Sequence, residues 1–132
     1  DHFKAINDRH GHAVGDEVLM RVAQLLGGGV REVDVLGRTG GEEFVVLMPH
    51  TDAEAAALAA QRLLQRLHAH PAGPQGAVVT ASIGVASASD RRERRDDLLR
   101  RLDGALYAAK QGGRDRVVLA PQADAAIRLA AD

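Results

Sequence analysis

The stretch Arg38-Thr39-Gly40-Gly41-Glu42-Glu43-Phe44-Val45-Val46-Leu47-Met48 decides how this chain reads. Two adjacent glycines set a tight turn between short extended runs, and two carboxylates follow on the turn itself. Neighbouring strand residues face opposite sides, so Glu42 and Glu43 point different ways at the junction and one of them is expected in a cleft. Carboxylates on a hairpin tip are hard oxygen donors, suited to presenting Mg²⁺ to a substrate's phosphates. The pattern predicts strands over 33–39 and 44–48. The second is apolar on consecutive residues, which is how a strand buried on both faces near the middle of a sheet reads.

Upstream of the hairpin, residues 3–15 predict a short helical turn followed by a loop. A helix then opens at Asp16, with Val18, Val22 and Leu25 at helical spacing and Asp16 and Glu17 suited to the positive end of its dipole. Gly27-Gly28-Gly29 predicts its end, because each glycine costs a helix about 1 kcal/mol relative to alanine. Downstream, Pro49 closes the second strand and Thr51-Asp52-Ala53-Glu54 has capping-box spacing with Thr51 as the cap. A helix follows with Ala56, Ala60, Leu63 and Leu67 on one face. Residues 70–76 form a Pro/Gly-rich break, and 77–86 read as a strand. The mixed-sign run 90–97 leads into a helix carrying Leu98, Leu102, Ala105, Leu106 and Ala109, and residues 116–119 supply an edge strand. The order is helix, hairpin, helix, strand, helix, strand: an α/β sandwich. One domain over 1–119 and an Ala-rich tail over 120–132 account for the whole chain.

The bulk numbers narrow the chemistry. With 132 residues the chain holds one ordinary core, and its 45% apolar and 27% charged residues are a globular composition. A net charge of −1 gives no general field to attract nucleic acid or an anionic membrane surface, so any phosphate binding is local. There is no cysteine, hence no disulfide and no thiolate metal site. Aromatics make up 2%, too few for a base-stacking platform, so a bound base would be held by polar groups. No apolar run reaches the length of a membrane span. Asp1-His2-Phe3-Lys4 starts inside a motif without a Met, as a piece of a longer chain would.

Gly40-Gly41-Glu42-Glu43-Phe44 resembles the GG(D/E)EF signature of the GGDEF family of diguanylate cyclases. Further matches fall in family order: Phe3-Lys4-Ala5-Ile6-Asn7-Asp8, Gly11-His12, Gly15-Asp16, Arg31-Glu32-Val33-Asp34, Ser82-Ile83-Gly84-Val85, and Ala105-Leu106-Tyr107-Ala108-Ala109-Lys110 with Gly113-Arg114. The resemblance implies a palm-like fold of the nucleotidyl-cyclase or ferredoxin-like kind, with a central, mostly antiparallel sheet and flanking helices. In the family a first strand precedes the position of Asp1.

The resemblance also implies a bacterial signalling transferase that condenses two GTP into cyclic di-GMP and two pyrophosphates across two facing domains. Glu42 and Glu43 match the metal-binding and catalytic carboxylates, with Mg²⁺ as cofactor and Mn²⁺ as a substitute. A further metal-binding Asp of the family lies before Asp1, so weak or no turnover is expected of these residues alone. Lys4 matches a lysine that stabilises phosphate charge. Asn7 and Asp16 match the readers of the guanine edge, whose N–H donors suit a carboxylate. His12 matches a residue near the substrate, and Lys110 and Arg114 match the clamp on the terminal phosphates. Arg31 and Asp34 match the RxxD inhibitory site, where arginine can grip guanine O6 and N7. Arg62, or Arg66 one turn on, would complete it. The implied partners are GTP, cyclic di-GMP, a second copy of the domain and an upstream sensor or dimerisation domain, in the cytoplasm and without nucleic acid or direct membrane contact. The alternative is a catalytically silent GGDEF domain that binds GTP or cyclic di-GMP.

Overall fold

The computed structural model describes residues 1–88 and 92–121. Part of the predicted 90–97 loop and nearly all of the predicted tail lie outside the described residues. The elements in order are helix α1 (Phe3–His10), helix α2 (His12–Gly28), strand β1 (Val35–Gly40), strand β2 (Glu43–Leu47), helix α3 (Ala53–Ala69), a 3₁₀ turn (Pro74–Gly76), strand β3 (Ser82–Val85), helix α4 (Arg95–Gln111) and strand β4 (Arg116–Leu119).

The N-terminal third differs from the expected turn and loop, because it is two helices meeting at one residue. Gly11 makes the joint with φ 88°, a backbone angle open to glycine, while its N–H still bonds the Asn7 carbonyl at 2.8 Å. Gly15 is not in a loop but in the first turn of α2. A Cβ there would sit 1.8 Å from Asn7 Oδ1 and 3.1 Å from the Phe3 ring, so its bare backbone lets α1 lie directly on α2. Asp16 is consequently inside a helix and not at its start.

The far end of α2 also departs from expectation. Gly27 and Gly28 stay helical and Gly29 is the C-cap. The reason is tertiary: Arg66 of α3 lies against Gly28, Leu63 and Arg66 lie against Gly29, and Arg66 Nε donates to the Leu25 carbonyl at 2.8 Å. Packing and a borrowed cap outweigh a poor intrinsic propensity.

β1 and β2 form an antiparallel ladder, Val35 opposite Leu47 and Arg38 opposite Phe44, with an irregularity before Gly40 meets Glu43. β3 and β4 form a parallel ladder joined through α4. The two ladders are separate two-stranded sheets. Among the described residues β2 therefore has one ladder partner, and it is half-buried at Phe44, Val45 and Val46 and exposed at Leu47, not covered on both faces as its apolar run predicts. β3 is four residues of the ten expected, the length that its partner β4 can match. Gly84 brings α4 down onto β3, since a Cβ there would lie 2.5 Å from the Leu106 amide nitrogen.

The core joins α2 to α3 through Val18, Val22 and Leu26 against Leu63 and Leu67, with Ala72 closing it and Ile6, Leu36, Phe44 and Val79 packed around it. Val18 and Leu67 are 2% and 1% exposed. The N-cap of α3 is Asp52, which accepts from the Ala55 amide at 2.8 Å, one residue later than the capping box predicts. Thr51 is occupied elsewhere, as described below.

Candidate functional site

Three groups of residues converge around the hairpin. The first is the turn itself. Arg38, on β1, folds back on it: Nη2 and Nε donate to the Gly41 carbonyl at 2.7 and 3.0 Å, and Nε also reaches the Gly40 carbonyl at 3.4 Å. The guanidinium takes up the carbonyls of both turn glycines. Arg38 thus fixes the backbone from which Glu42 and Glu43 project, a role that its sequence position alone gives no reason to assign. Both glutamates are exposed.

The second group is an open groove of about 500 Å³ between α2 and the hairpin. Asp16, Leu19, Met20, Leu36, Arg38 and Phe44 are among its walls. Neither glutamate lines it, so the cleft expected for one of them is occupied by Arg38 and Asp16 instead. Next to Asp16, across Gly15, lies Asn7. Its Oδ1 is buried and has no hydrogen-bond partner among the described residues. An unpaired buried acceptor of this kind costs about 1–3 kcal/mol. Lys4 stands one turn before Asn7 on α1 and is exposed, and His12 is exposed at the start of α2. The structure gives neither of them a hydrogen-bond partner among the described residues.

The third group surrounds Asp1. Burial holds the Asp1 amino group below its ordinary pKa, Glu42 pulls it up, and Lys110 and Arg114 push it down. Glu42 of the hairpin, Lys110 of α4 and Arg114 beyond it therefore share one electrostatic neighbourhood, although some 70 residues separate them in sequence. Lys110 and Arg114 are both half-buried and unpaired among the described residues.

Arg31 and Asp34 lie apart, at the opposite end of β1 from the glycine turn. Arg31 Nη2 donates to Asp34 Oδ1 at 2.8 Å, and its amide to Oδ2 at 2.8 Å. The same Nη2 reaches the Pro49 carbonyl at 3.1 Å and Thr51 Oγ1 at 2.7 Å. Thr51, read in the sequence as a helix cap, is instead a rest for this arginine. The Asp34 side chain is 2% exposed. The hydrogen bond from the Arg31 side chain is the main reason its carboxyl lies below the usual carboxylate range, and the Arg31 guanidinium is raised in return. Arg62 is exposed and without a hydrogen-bond partner among the described residues, whereas Arg66 is spent on capping α2.

Among the described residues no three His, Cys, Asp or Glu side chains come together as a metal site. Glu42 and Glu43 fit a hard divalent cation in donor type and fall short of a full site in number. No described helix is long and apolar enough to cross a membrane.

The GGDEF family model, described as a diguanylate cyclase GGDEF domain, matches residues 1–116. Diguanylate cyclase A of Treponema denticola is 42% identical over 121 residues, which is 90% of this chain and 33% of that protein. The chain thus spans about a third of the length of that relative. The active GGEEF domain of a diguanylate cyclase from Vibrio cholerae superposes with a TM-score of 0.82 at 37% identity, over 93% of this chain and 79% of that one. The coiled coil and GGDEF domain of DgcB from Caulobacter crescentus, in complex with c-di-GMP, gives a TM-score of 0.82 at 30% identity, over 91% and 65% of the two chains.

Proposed function

The chain belongs to the GGDEF family of diguanylate cyclase domains, and from that premise we propose that it is a catalytic half-site joining two GTP molecules into cyclic di-GMP, with a separate product-sensing site at Arg31 and Asp34. The observation that carries this reading is the buried, unpartnered Asn7 Oδ1 beside Asp16. Guanine offers N1–H and N2–H₂ as donors. Asp16 accepts from that edge and Asn7 Oδ1 gains the partner it lacks, while adenine presents no such donor pair.

In the reaction a ribose 3′-oxygen of one GTP bonds to the α-phosphorus of the other, the bond to the β-phosphate oxygen breaks, and pyrophosphate leaves. Repeating the step in the reverse sense closes the ring, so a second copy of the domain must present the partner GTP. Glu42 accepts the 3′-hydroxyl proton. Lys4 offsets charge developing on the phosphates, and Lys110 and Arg114 hold the terminal ones. Glu42 and Glu43 would hold Mg²⁺, or Mn²⁺ in its place, which supplies charge neutralisation at the reacting phosphates. His12 borders the bound nucleotide. At the second site Arg31, Asp34 and Arg62 grip the guanine edges of cyclic di-GMP, Arg62 being favoured over Arg66 because Arg66 Nε already donates to the Leu25 carbonyl.

The donor set favours a second reading for these 132 residues taken alone, in which they bind nucleotide and turn it over weakly. Among the described residues no third His, Cys, Asp or Glu side chain joins Glu42 and Glu43. The proposed setting is the cytoplasm, where GTP is available, with an upstream sensor or dimerisation domain bringing two copies face to face.

Incubation with Mg²⁺ and GTP, with Glu42→Ala as control, tests the reading. Little cyclic di-GMP is expected from this chain and more from one extended upstream. Binding of ATP as tightly as GTP would remove the guanine assignment, and no product from the extended chain would remove the catalytic one.

A further inference from the structure

Residues 113–115 carry three consecutive positive φ angles: Gly113 at 115°, Arg114 at 64° and Asp115 at 46°. Glycine adopts such angles freely, but for Arg114 and Asp115 they are uncommon and persist only where neighbours over-determine them. The neighbours are identifiable. Asp1 Oδ2 accepts the Asp115 amide at 3.1 Å and the Thr80 hydroxyl at 2.9 Å, and Asp1 Oδ1 accepts the Ser82 hydroxyl at 2.6 Å. On the other side His68 Nε2 lies 2.6 Å from Asp115 Oδ1, and the Arg114 amide bonds the Ala109 carbonyl at 3.0 Å. A single carboxylate therefore ties the segment leading into β3 to the turn that presents Arg114.

We propose that Asp1 is a positioning residue: gripped by Thr80 and Ser82, its carboxylate holds the Asp115 amide, and with it the left-handed turn from which Arg114 reaches the nucleotide's terminal phosphates. This rests on the reading of Arg114 as a phosphate clamp. Asp1 itself touches no substrate atom in this account. It acts by confining Arg114 to one approach, so that ordering a long side chain is not charged against phosphate binding.

The sign of the effect separates this role from simple electrostatics. The Asp1 carboxylate accepts the Asp115 amide, one residue along the chain from Arg114. If it mattered only through its charge, neutralising it would raise the local positive potential and tighten triphosphate binding. As a positioning residue, its loss weakens that binding in spite of the removed negative charge.

The measurement is the affinity of the 132-residue chain for GTP and for GMP, both with Mg²⁺, followed by NMR titration so that weak binding remains readable. The ratio of the two affinities isolates the terminal phosphates, and a general loss of structure would lower both together. Asp1→Ala is expected to reduce the GTP preference by about tenfold, the scale of one charge-assisted hydrogen bond. Arg114→Ala should reduce it similarly, and the double variant no further than Arg114→Ala alone. Asp1→Leu removes both acceptors at similar bulk, so it should fall in the same direction and serves if Asp1→Ala does not fold. An unchanged or increased GTP preference in Asp1→Ala or Asp1→Leu, with Arg114→Ala reduced, overturns the positioning role and leaves the phosphate clamp standing. Additive losses in the double variant also overturn it. An unchanged ratio in Arg114→Ala overturns the clamp, and the positioning role with it.

Discussion

Two residue-scale contacts make sharp predictions. The methyl group of a Gly15→Ala variant would overlap Asn7 Oδ1, which is 1.8 Å from the ideal Cβ position. Alanine would otherwise favour the helix by about 1 kcal/mol, so any loss must come from the displaced asparagine. GTP affinity is expected to fall by about tenfold, as for a lost hydrogen bond to a buried group, with the preference over ATP narrowed. Competition between the two nucleotides reads this directly, and retained preference would separate Asn7 from base recognition. The second contact is Arg31 with Asp34. The Asp34 carboxyl lies below its ordinary value of 3.8, chiefly through the hydrogen bond from Arg31. A carboxyl depressed on folding contributes stability that is fully present above its unfolded pKa and is lost as pH falls through the folded one. Wild type should therefore melt above Asp34→Asn at pH 6, with the gap closing only below pH about 4. A gap that persisted at pH 2 would show that shape, and not charge, holds the loop.

At the scale of elements, the glycines carry the argument, and they also mark what the sequence leaves unreadable. The hairpin, α3 and α4 are legible because their apolar periods and turn residues act locally. Gly15, Gly27 and Gly28 read as loop or helix stop and are helical because residues distant in sequence pack on them: Asn7 and Phe3 on the first, Arg66 on the last. No local pattern records a partner 40 residues away. For the same reason the sequence shows Arg31 and Asp34 as a pair but not Thr51 beneath them, and it shows Glu42 but not the Arg38 clamp behind it. Two variants test the packing. Gly84→Ala would place a methyl 2.5 Å from the Leu106 nitrogen and 2.9 Å from the Leu102 carbonyl, both backbone atoms of α4 that cannot move alone. A loss of about 1–3 kcal/mol is expected in urea unfolding, the usual range for overpacking. Arg66→Ala removes the cap on Leu25 and should cost about 1 kcal/mol. It should leave cyclic di-GMP affinity intact, whereas Arg62→Ala should lower it. The reverse pattern would exchange their roles.

Across the whole molecule, β1 spans the distance between two jobs. Its six residues, Val35–Gly40, extend about 20 Å at the rise of a strand, with Asp34 just before one end and the glutamate turn just after the other. No single nucleotide base can touch both, so a guanine held at the proposed Arg31 site does not itself occupy the place of Glu42. On the proposed reading, inhibition acts through what the hairpin is attached to. Among the described residues β2 has no ladder partner besides β1 and the β3–β4 ladder is separate, so the hairpin's footing is its contact with α2 and the Arg31 bonds to Pro49 and Thr51. A ligand taking the Arg31 guanidinium would compete with those bonds at the base of β1 and at the entry to α3. The two sites should accordingly be separable in binding and coupled only in turnover. Arg31→Ala is expected to lower cyclic di-GMP affinity by at least about tenfold, and Asp16→Ala to do the same for GTP. Each should leave the other ligand's affinity within about twofold, as for sites without shared contacts. Calorimetric titration of both variants with both ligands decides it: a loss of GTP affinity in Arg31→Ala as large as its loss for cyclic di-GMP would mean one site, and the hairpin would no longer join two.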